Sequence, residues 1–522
     1  MLTEIESAVR PFGLDVRSEA DNALTRGRAW WKTGTGVSVC IAVSTVVAHV
    51  VTGGRYGFDR DELMALGDAR HLAWGYVPYP PMTPFFGRIA LTLFGTSLVG
   101  FRFFSAVAQA VALVLTGLMA KELGGGKWAQ VIATLAGVPF SLGGGSLMQY
   151  VSFDYVCWVI VAYAMLRLLN SEDPRAWLGV GAGIGSGMMA KYTMGFLALG
   201  VMAGVLLTQE RRHLRNRWLW GGVLLAIAIF LPNFLWQWQR NFVSLEFLRF
   251  IHARDVRVGV TDWFLLGQAK MTLLAFPLAM AGIYFYFFTE PGKRYRPMGW
   301  MYAVPLCLFL LMRGRDYYLA PAYPMLYAAG AVWCECWLSS LRYESAARVQ
   351  TAMRTALVAD IVLAAAIALP IAPVNSTWWR LSSKVCIVFP DEIGWPEFVQ
   401  TVAQVRDQLP AEERARTGIL AGNYGEVDAL NFYGEEYGLP RAISGVNSSW
   451  ERGYGDPAQT LIVAGYSRDV LEQHFASCQL AARAWNKYGI PNEETTEHPE
   501  IFVCRGLKES WAEFWKRMRT FA

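Results

Sequence analysis

The sequence predicts a mostly α-helical, polytopic transmembrane protein that ends in a soluble α/β domain. Three observations carry this expectation. Of 522 residues, 54% are hydrophobic and only 17% charged, which is more apolar and less charged than an ordinary soluble chain. Apolar segments suited to a bilayer recur near 34–52, 98–120, 127–142, 154–170, 176–190, 193–208, 218–236, 263–288, 299–312, 319–338 and 354–373, about eleven spans. Beyond about residue 374 the long apolar runs stop and charge rises.

Taken in order, residues 1–33 mix Arg10, Arg17, Arg26 and Arg28 with Glu4, Glu6, Asp15, Glu19 and Asp21. They lack the basic, apolar, small-residue order of a cleaved signal and read as a cytoplasmic amphipathic lead-in. Residues 34–373 form the transmembrane domain, with a polar external loop at 53–97. With the amino terminus inside, the short inner loops carry Lys121, Lys127, Arg175, the Arg211–Arg217 cluster, Lys293, Arg294, Arg342 and Arg348, as the positive-inside rule requires. An odd number of spans then puts residues 374–522 outside. There, short apolar runs at Val385–Val388, Gly418–Ala421, Thr460–Ala464 and Ile501–Cys504 alternate with amphipathic helices, which argues a small α/β layer. The net charge of +5 and the lack of a basic run interleaved with aromatics exclude a nucleic-acid partner.

Of eight cysteines none has metal-type spacing. Cys386, Cys478 and Cys504 lie in the polar tail, where an oxidising compartment permits a Cys478–Cys504 disulfide, three buried thiols being the other reading.

Candidate chemistry begins in the external loop, where Asp61-Glu62 follows directly on an apolar segment. An acidic pair at a membrane surface is solvated, paired or catalytic. Gly75-Tyr76-Val77-Pro78-Tyr79-Pro80-Pro81 reads as an extended turn between helices. Asp154 stands at the outer end of a span, where an unpaired charge costs about 2.5–3.5 kcal/mol, so it needs a partner or a use. Lys191 follows the small-residue run Gly181, Gly183, Gly185 and Gly187 and falls near the outer face, against the positive-inside trend; snorkelling is its plain alternative. Leu231-Pro232-Asn233-Phe234-Leu235-Trp236-Gln237 leads to a loop with His252, Arg254, Asp255 and Arg257, whose arginines suit a phosphate. Arg313-Gly314-Arg315-Asp316-Tyr317-Tyr318 brings charge and tyrosines into an apolar span before Pro321 and Pro324. In the tail, Gly422-Asn423-Tyr424-Gly425-Glu426 fits a capped turn better than a phosphate loop.

The order of the first loop, with its acidic pair, short helix, Gly-Tyr, proline turn and Phe94-Gly95 ending, resembles the GT-C glycosyltransferases, particularly family 39 and the aminoarabinose-transferase-like group. The Tyr-Tyr-Pro element at Tyr317–Pro324 is similar to the same group. The resemblance implies a catalytic base at Asp61, with Glu62 as the alternative or as the residue that orients it, and transfer with inversion. It implies donor-binding roles for Tyr79, Asp154, Lys191, Arg254, Arg315, Tyr317 and Tyr318. The implied partners are the lipid bilayer, a polyprenyl-phosphate-linked sugar, and an acceptor that is lipid A, an envelope glycan or a protein. The tail segment Ser444–Trp450 is similar to tails of bacterial members and suggests acceptor docking. The implied place is a bacterial inner membrane, with the active site and tail periplasmic, where no nucleotide sugar is supplied and a lipid carrier is needed. The aminoarabinose transferases carry Glu-Lys before the last proline of the first loop, where this chain has Tyr79-Pro80. A metal site and that particular sugar are therefore not carried over; the sequence establishes no cofactor, and a divalent metal stays open. The alternative is a transporter or flippase of a lipid-linked glycan, with Asp154 and Lys191 as a coupling pair.

Overall fold

The computed structural model describes residues 29–171 and 173–522, so most of the expected lead-in over 1–33 lies outside the described residues. Helix α1 (Gly34–Thr52) starts at Thr33, whose side chain accepts from Gly36 N. It leads into α2 (Arg60–Arg70) and α3 (Met82–Phe94), then into α4 (Leu98–Glu122), α5 (Lys127–Gly144) and α6 (Tyr150–Ser171). Next come α7 (Ala176–Ala190), α8 (Met194–Leu206), α9 (Arg217–Gln239), α10 (Val243–Arg257), α11 (Phe264–Thr272) and α12 (Phe276–Phe288). The helical region closes with α13 (Arg296–Leu311), α14 (Tyr323–Ser339) and α15 (Tyr343–Ala368).

Most of each apolar segment expected from the sequence is helical. Among the described residues, six helical stretches, Gly34–Thr52, Leu98–Glu122, Tyr150–Ser171, Arg217–Gln239, Phe264–Phe288 and Tyr343–Ala368, are long and apolar enough to cross a membrane. Helices α7 and α8, of 15 and 13 residues, are each shorter than a hydrocarbon core of about 30 Å at ~1.5 Å per residue. They meet at Lys191, which interrupts the pair in an extended conformation. A Cβ on Gly181 would run into the Gly222 backbone, so the glycine run lets α7 lie backbone to backbone on α9.

Two local expectations change. The span expected at 263–288 is broken at Leu273, whose φ of 43° is left-handed, and Pro277 then sits in the first turn of α12. The loop expected around His252, Arg254, Asp255 and Arg257 belongs instead to α10, and Leu231–Gln237 before it lies in α9, which runs on through Pro232 to Gln239. Asn233 and Gln237 hold that end: Asn233 Nδ2 donates to Trp74 O at 2.8 Å and Gln237 Nε2 to Tyr192 Oη at 2.7 Å.

After α15 the structure turns to a five-stranded sheet ordered β2-β1-β3-β5-β4. Strands β1 (Thr417–Ala421), β2 (Ala442–Ile443) and β3 (Thr460–Ala464) are parallel, while β5 (Glu500–Leu507) joins β3 and β4 (Phe475–Arg483) antiparallel. The sheet is therefore mixed rather than parallel. The expected strand at Val385–Val388 is not one; Val388–Asp391 forms a helical turn, and Cys386, a free thiol, lies just before it. Cys478 and Cys504 face each other in the β4–β5 register and are bonded. Helices α16 (Trp395–Asp407) and α17 (Tyr424–Tyr433) cover one face. Their Phe398, Val399, Ala429 and Leu430 share one apolar core with Phe58, Leu63 and Leu66 of the external loop, so the tail is packed directly onto α2.

Candidate active site

Helix α2 is placed by its own first turn. Asp59 is the N-cap, Asp61 N donates to Asp59 Oδ1 at 2.8 Å, and Glu62 Oε2 accepts from Asp59 N at 3.0 Å, which completes a capping box. Glu62 then goes inward. It is fully buried, Arg102 Nη2 of α4 lies 2.6 Å from Oε2, and Met148 N donates to Oε1 at 2.8 Å. Arg102 is spent on the same cluster: Nη1 donates to Gly53 O at 2.8 Å and Nη2 to Glu392 Oε1 at 3.3 Å. Burial pushes the Glu392 carboxyl up to about 8, against the pull of Arg102.

One residue earlier, Asp61 opens onto a cavity of about 520 Å³ whose walls include Tyr150, Lys191, Arg254, Arg315, Tyr318 and Tyr424. Its oxygens meet neutral donors only: Tyr424 Oη at 3.0 Å from Oδ1 and Gln149 Nε2 at 3.2 Å from Oδ2. Burial pushes its carboxyl above the usual aspartate range, while the Tyr424 hydrogen bond and the Arg60 and Arg315 charges pull it back down. An uncommitted carboxylate of raised basicity suits proton abstraction.

Opposite this acid stands Lys191, whose Nζ lies 4.1 Å from the Tyr318 ring centroid, 4.9 Å from Tyr317 and 5.1 Å from Tyr150. Among the described residues it makes no salt bridge, so three ring faces hold the ammonium without neutralising it. Arg315 is fixed by Asp255 through Nε–Oδ2 at 2.5 Å and Nη2–Oδ1 at 2.9 Å, a bidentate pair that leaves part of its fork for the cavity. Arg254 reaches Asp255 only at 3.6 Å and also lines the cavity. The cavity thus joins one acid without a salt bridge to several cations.

Several expected site residues are placed elsewhere. Glu62 is not on the cavity, because its lone pairs go to Arg102, Asp59 N and Met148 N. Tyr79 borders the cavity, but its hydroxyl donates to Asp68 Oδ2 at 2.6 Å, so it is not a free phosphate donor. Asp154 is buried behind the wall, accepting from Trp158 Nε1 and Thr193 Oγ1, both at 3.0 Å; it ties α6 to the start of α8. Arg257 is exposed and does not line the cavity, whereas His252 does. Ser448, in the segment expected to dock acceptor, takes a hydrogen bond from Val77 N at 3.0 Å and so anchors the proline turn. Asn423 and Glu426 form a capping box, as the capped-turn reading expects. Tyr424 beside them was not singled out for the site; it comes from the far end of the chain and leaves no local signal. For a divalent ion the donor set does not fit. Of the two acids on the cavity, Asp255 is held by Arg315, and no cluster of three or more metal-ligating side chains occurs among the described residues.

The helical body, with an acidic helix after α1 and a cationic cavity, has the GT-C fold. Residues 78–236 match the family model described as dolichyl-phosphate-mannose-protein mannosyltransferase. Two solved structures of ArnT from Cupriavidus metallidurans share the fold: one bound to undecaprenyl phosphate at a TM-score of 0.56 and one in the apo state at 0.58. Each is 14% identical and covers 90% of this chain, with 97% and 98% of the ArnT chains matched. Among curated proteins, an undecaprenyl phosphate-alpha-4-amino-4-deoxy-L-arabinose arabinosyl transferase 2 of Pseudomonas fluorescens is 27% identical over 284 residues, 50% of this chain and 48% of that protein. The lipopolysaccharide core galacturonosyltransferase RgtB of Rhizobium johnstonii is 26% identical over 257 residues, 46% of this chain and 50% of that one. The matched region thus spans about half the length of these curated relatives. The chain is similar to aminoarabinose transferases both in sequence over about half its length and in fold.

Proposed function

We propose that this protein is an integral membrane glycosyltransferase that moves a sugar from a polyprenyl-phosphate carrier to an acceptor hydroxyl. The observation that carries this reading is the pairing, across one cavity, of an acid with neutral partners and a lysine with no counter-ion. Asp61 takes the proton of the acceptor hydroxyl as its oxygen attacks the anomeric carbon. The bond from that carbon to the phosphate oxygen breaks, and the charge that grows on the leaving phosphate is held by Lys191 and Arg315. Attack opposite the leaving group inverts configuration at that carbon. Arg254 adds a further donor at the rim, while Tyr317 and Tyr318 hold the ammonium in place.

The names of the relatives, which include an undecaprenyl-phosphate-dependent arabinosyl transferase and a lipopolysaccharide core galacturonosyltransferase, support a lipid-linked donor and an envelope acceptor such as lipid A, core glycan or protein. The basic inner loops support a periplasmic site in a bacterial inner membrane, with the tail on the same side. The transporter reading is weaker, because Asp154 and Lys191 make no salt bridge and Asp154 is already hydrogen-bonded. The test is transfer by purified protein, in detergent and without a gradient, from a polyprenyl-phosphate sugar to a mixture of lipid A, core oligosaccharide and peptide acceptors. New glycosidic product supports the reading; carrier movement across vesicles without product refutes it.

A further inference from the structure

A second cavity, of about 300 Å³, lies between α2 and the tail, bounded by Gly67, Arg70 and His71 on one side and by Asp428, Ser449 and Arg441 on the other. Its volume is at the lower bound of small-ligand sites, roughly 300–1,000 Å³. Most polar groups around it are committed. Arg70 donates to Glu435 Oε1 at 2.6 Å, Asn431 pairs with the Ala442 backbone, and Arg452 pairs with Asp68.

Asp428 is the exception. It is 3% exposed and lines the cavity, yet among the described residues its carboxylate accepts no hydrogen bond; the Arg452 Nη1 is 3.7 Å from Oδ1. Its oxygens open to the cavity rather than to a sealed interior, so a ligand hydroxyl can take the place of water as their donor. Helix α2 makes room for it, since a Cβ at Gly67 would collide with this carboxylate. Nearby, the Ser449 hydroxyl also has no hydrogen-bond partner among the described residues. His71 Nδ1 donates to Gly67 O at 3.0 Å, which leaves Nε2 free to bond a ligand. Leu66, Phe432 and Leu439 complete the wall with apolar surface.

Hydroxyl, carboxylate, imidazole and guanidinium edges beside an apolar face are the groups that hold a polyhydroxylated ring, its C–H face on the apolar side. We infer that this cavity is a carbohydrate-binding site, centred on Asp428, for a sugar of the acceptor other than the one that is glycosylated. The inference rests on the glycosyltransferase reading. The ring held here is not the reacting one, because Asp61 faces the other cavity. The two cavities share a wall: Arg452 borders the second, pairs with Asp68, and Asp68 accepts from Tyr79 of the first.

The test is saturation-transfer NMR on the full chain in lipid nanodiscs, with glucose, N-acetylglucosamine and galacturonate as probes at about 10 mM, suited to millimolar affinity. At least one probe should give signal from the unsubstituted protein, and the signal should fall about fivefold or more in Asp428→Ala and in Arg441→Ala. Arg441 is an exposed rim residue, so its variant tests the site even where Asp428→Ala fails to fold. Undecaprenyl-phosphate binding should stay within about twofold in both, and Asp61→Asn should keep the saccharide signal. No signal from the unsubstituted protein, or signal from both variants equal to that of the unsubstituted protein, overturns the site. A chain that binds saccharide at Asp428 but transfers no sugar keeps this site and refutes the reading of the other cavity.

Discussion

Asp61 and Glu62 are neighbours in the chain, of nearly the same chemistry, and they live in opposite surroundings. One helical step of about 100° turns Asp61 to a cavity where a tyrosine and a glutamine are its partners, and turns Glu62 into a sealed cluster with Arg102. The first carboxylate is held without being neutralised. The second is neutralised and walled off, so the same acidic pair supplies one reactive group and one structural tie.

The largest effect expected from this contrast is on rate. Asp61→Asn should lower turnover by about 10²–10⁴ while donor binding persists, as removal of a general base does. Steady-state rates beside donor affinity check it, and a loss of affinity equal to the loss of rate would break the contrast. Next, Arg102→Leu should cost about 3–5 kcal/mol, because Glu62 and Glu392 would be left buried without their cation. The yield of folded protein and its thermal midpoint report this. An unchanged midpoint would mean that the cluster is not the tie described.

The location of α2 was legible in the sequence, since an acidic N-cap with Glu three positions on is a local signal. Which of the two acids faces the cavity was not, because that depends on Arg102, 40 residues beyond Glu62, and on Tyr424, 363 residues beyond Asp61. The helical segments were legible because apolar length is a local property; Lys191 and the Tyr317-Tyr318 pair stood out as polar groups in apolar runs, and the fold brings them together. Tyr79 and Asp154 were picked out as polar groups near a membrane. Their partners, Asp68 and Thr193, come from other elements, and only the fold decides that they are already satisfied. Strand β4 was missed because Phe475–Arg483 mixes polar and small residues over a mostly exposed face, which carries little periodic signal. Val385–Val388 shows the converse: a four-residue apolar run does not distinguish strand from helical turn.

Two smaller effects sharpen the comparison from the cavity side. Lys191→Met should weaken donor-phosphate binding by about ten- to a hundredfold with little change in the fold, since Asp154 nearby keeps its hydrogen bonds from Trp158 and Thr193. Titration with undecaprenyl phosphate decides, and undiminished affinity would move the phosphate elsewhere. Tyr424→Phe should act on pH. The hydrogen bond from Tyr424 favours the ionised form of Asp61, so its loss raises that pKa further. Because the base works only when ionised, the rise of kcat/KM with pH should then shift upward by about one unit. A profile that stays in place, with the rate merely scaled, would leave Tyr424 as packing.

The most direct test of Asp61 as base is chemical rescue. Asp61→Ala should transfer almost no sugar in single turnover, and added formate should restore transfer in proportion to its ionised concentration, whereas Glu62→Ala should show no such dependence. Near-original transfer by Asp61→Ala without any added carboxylate would contradict the account.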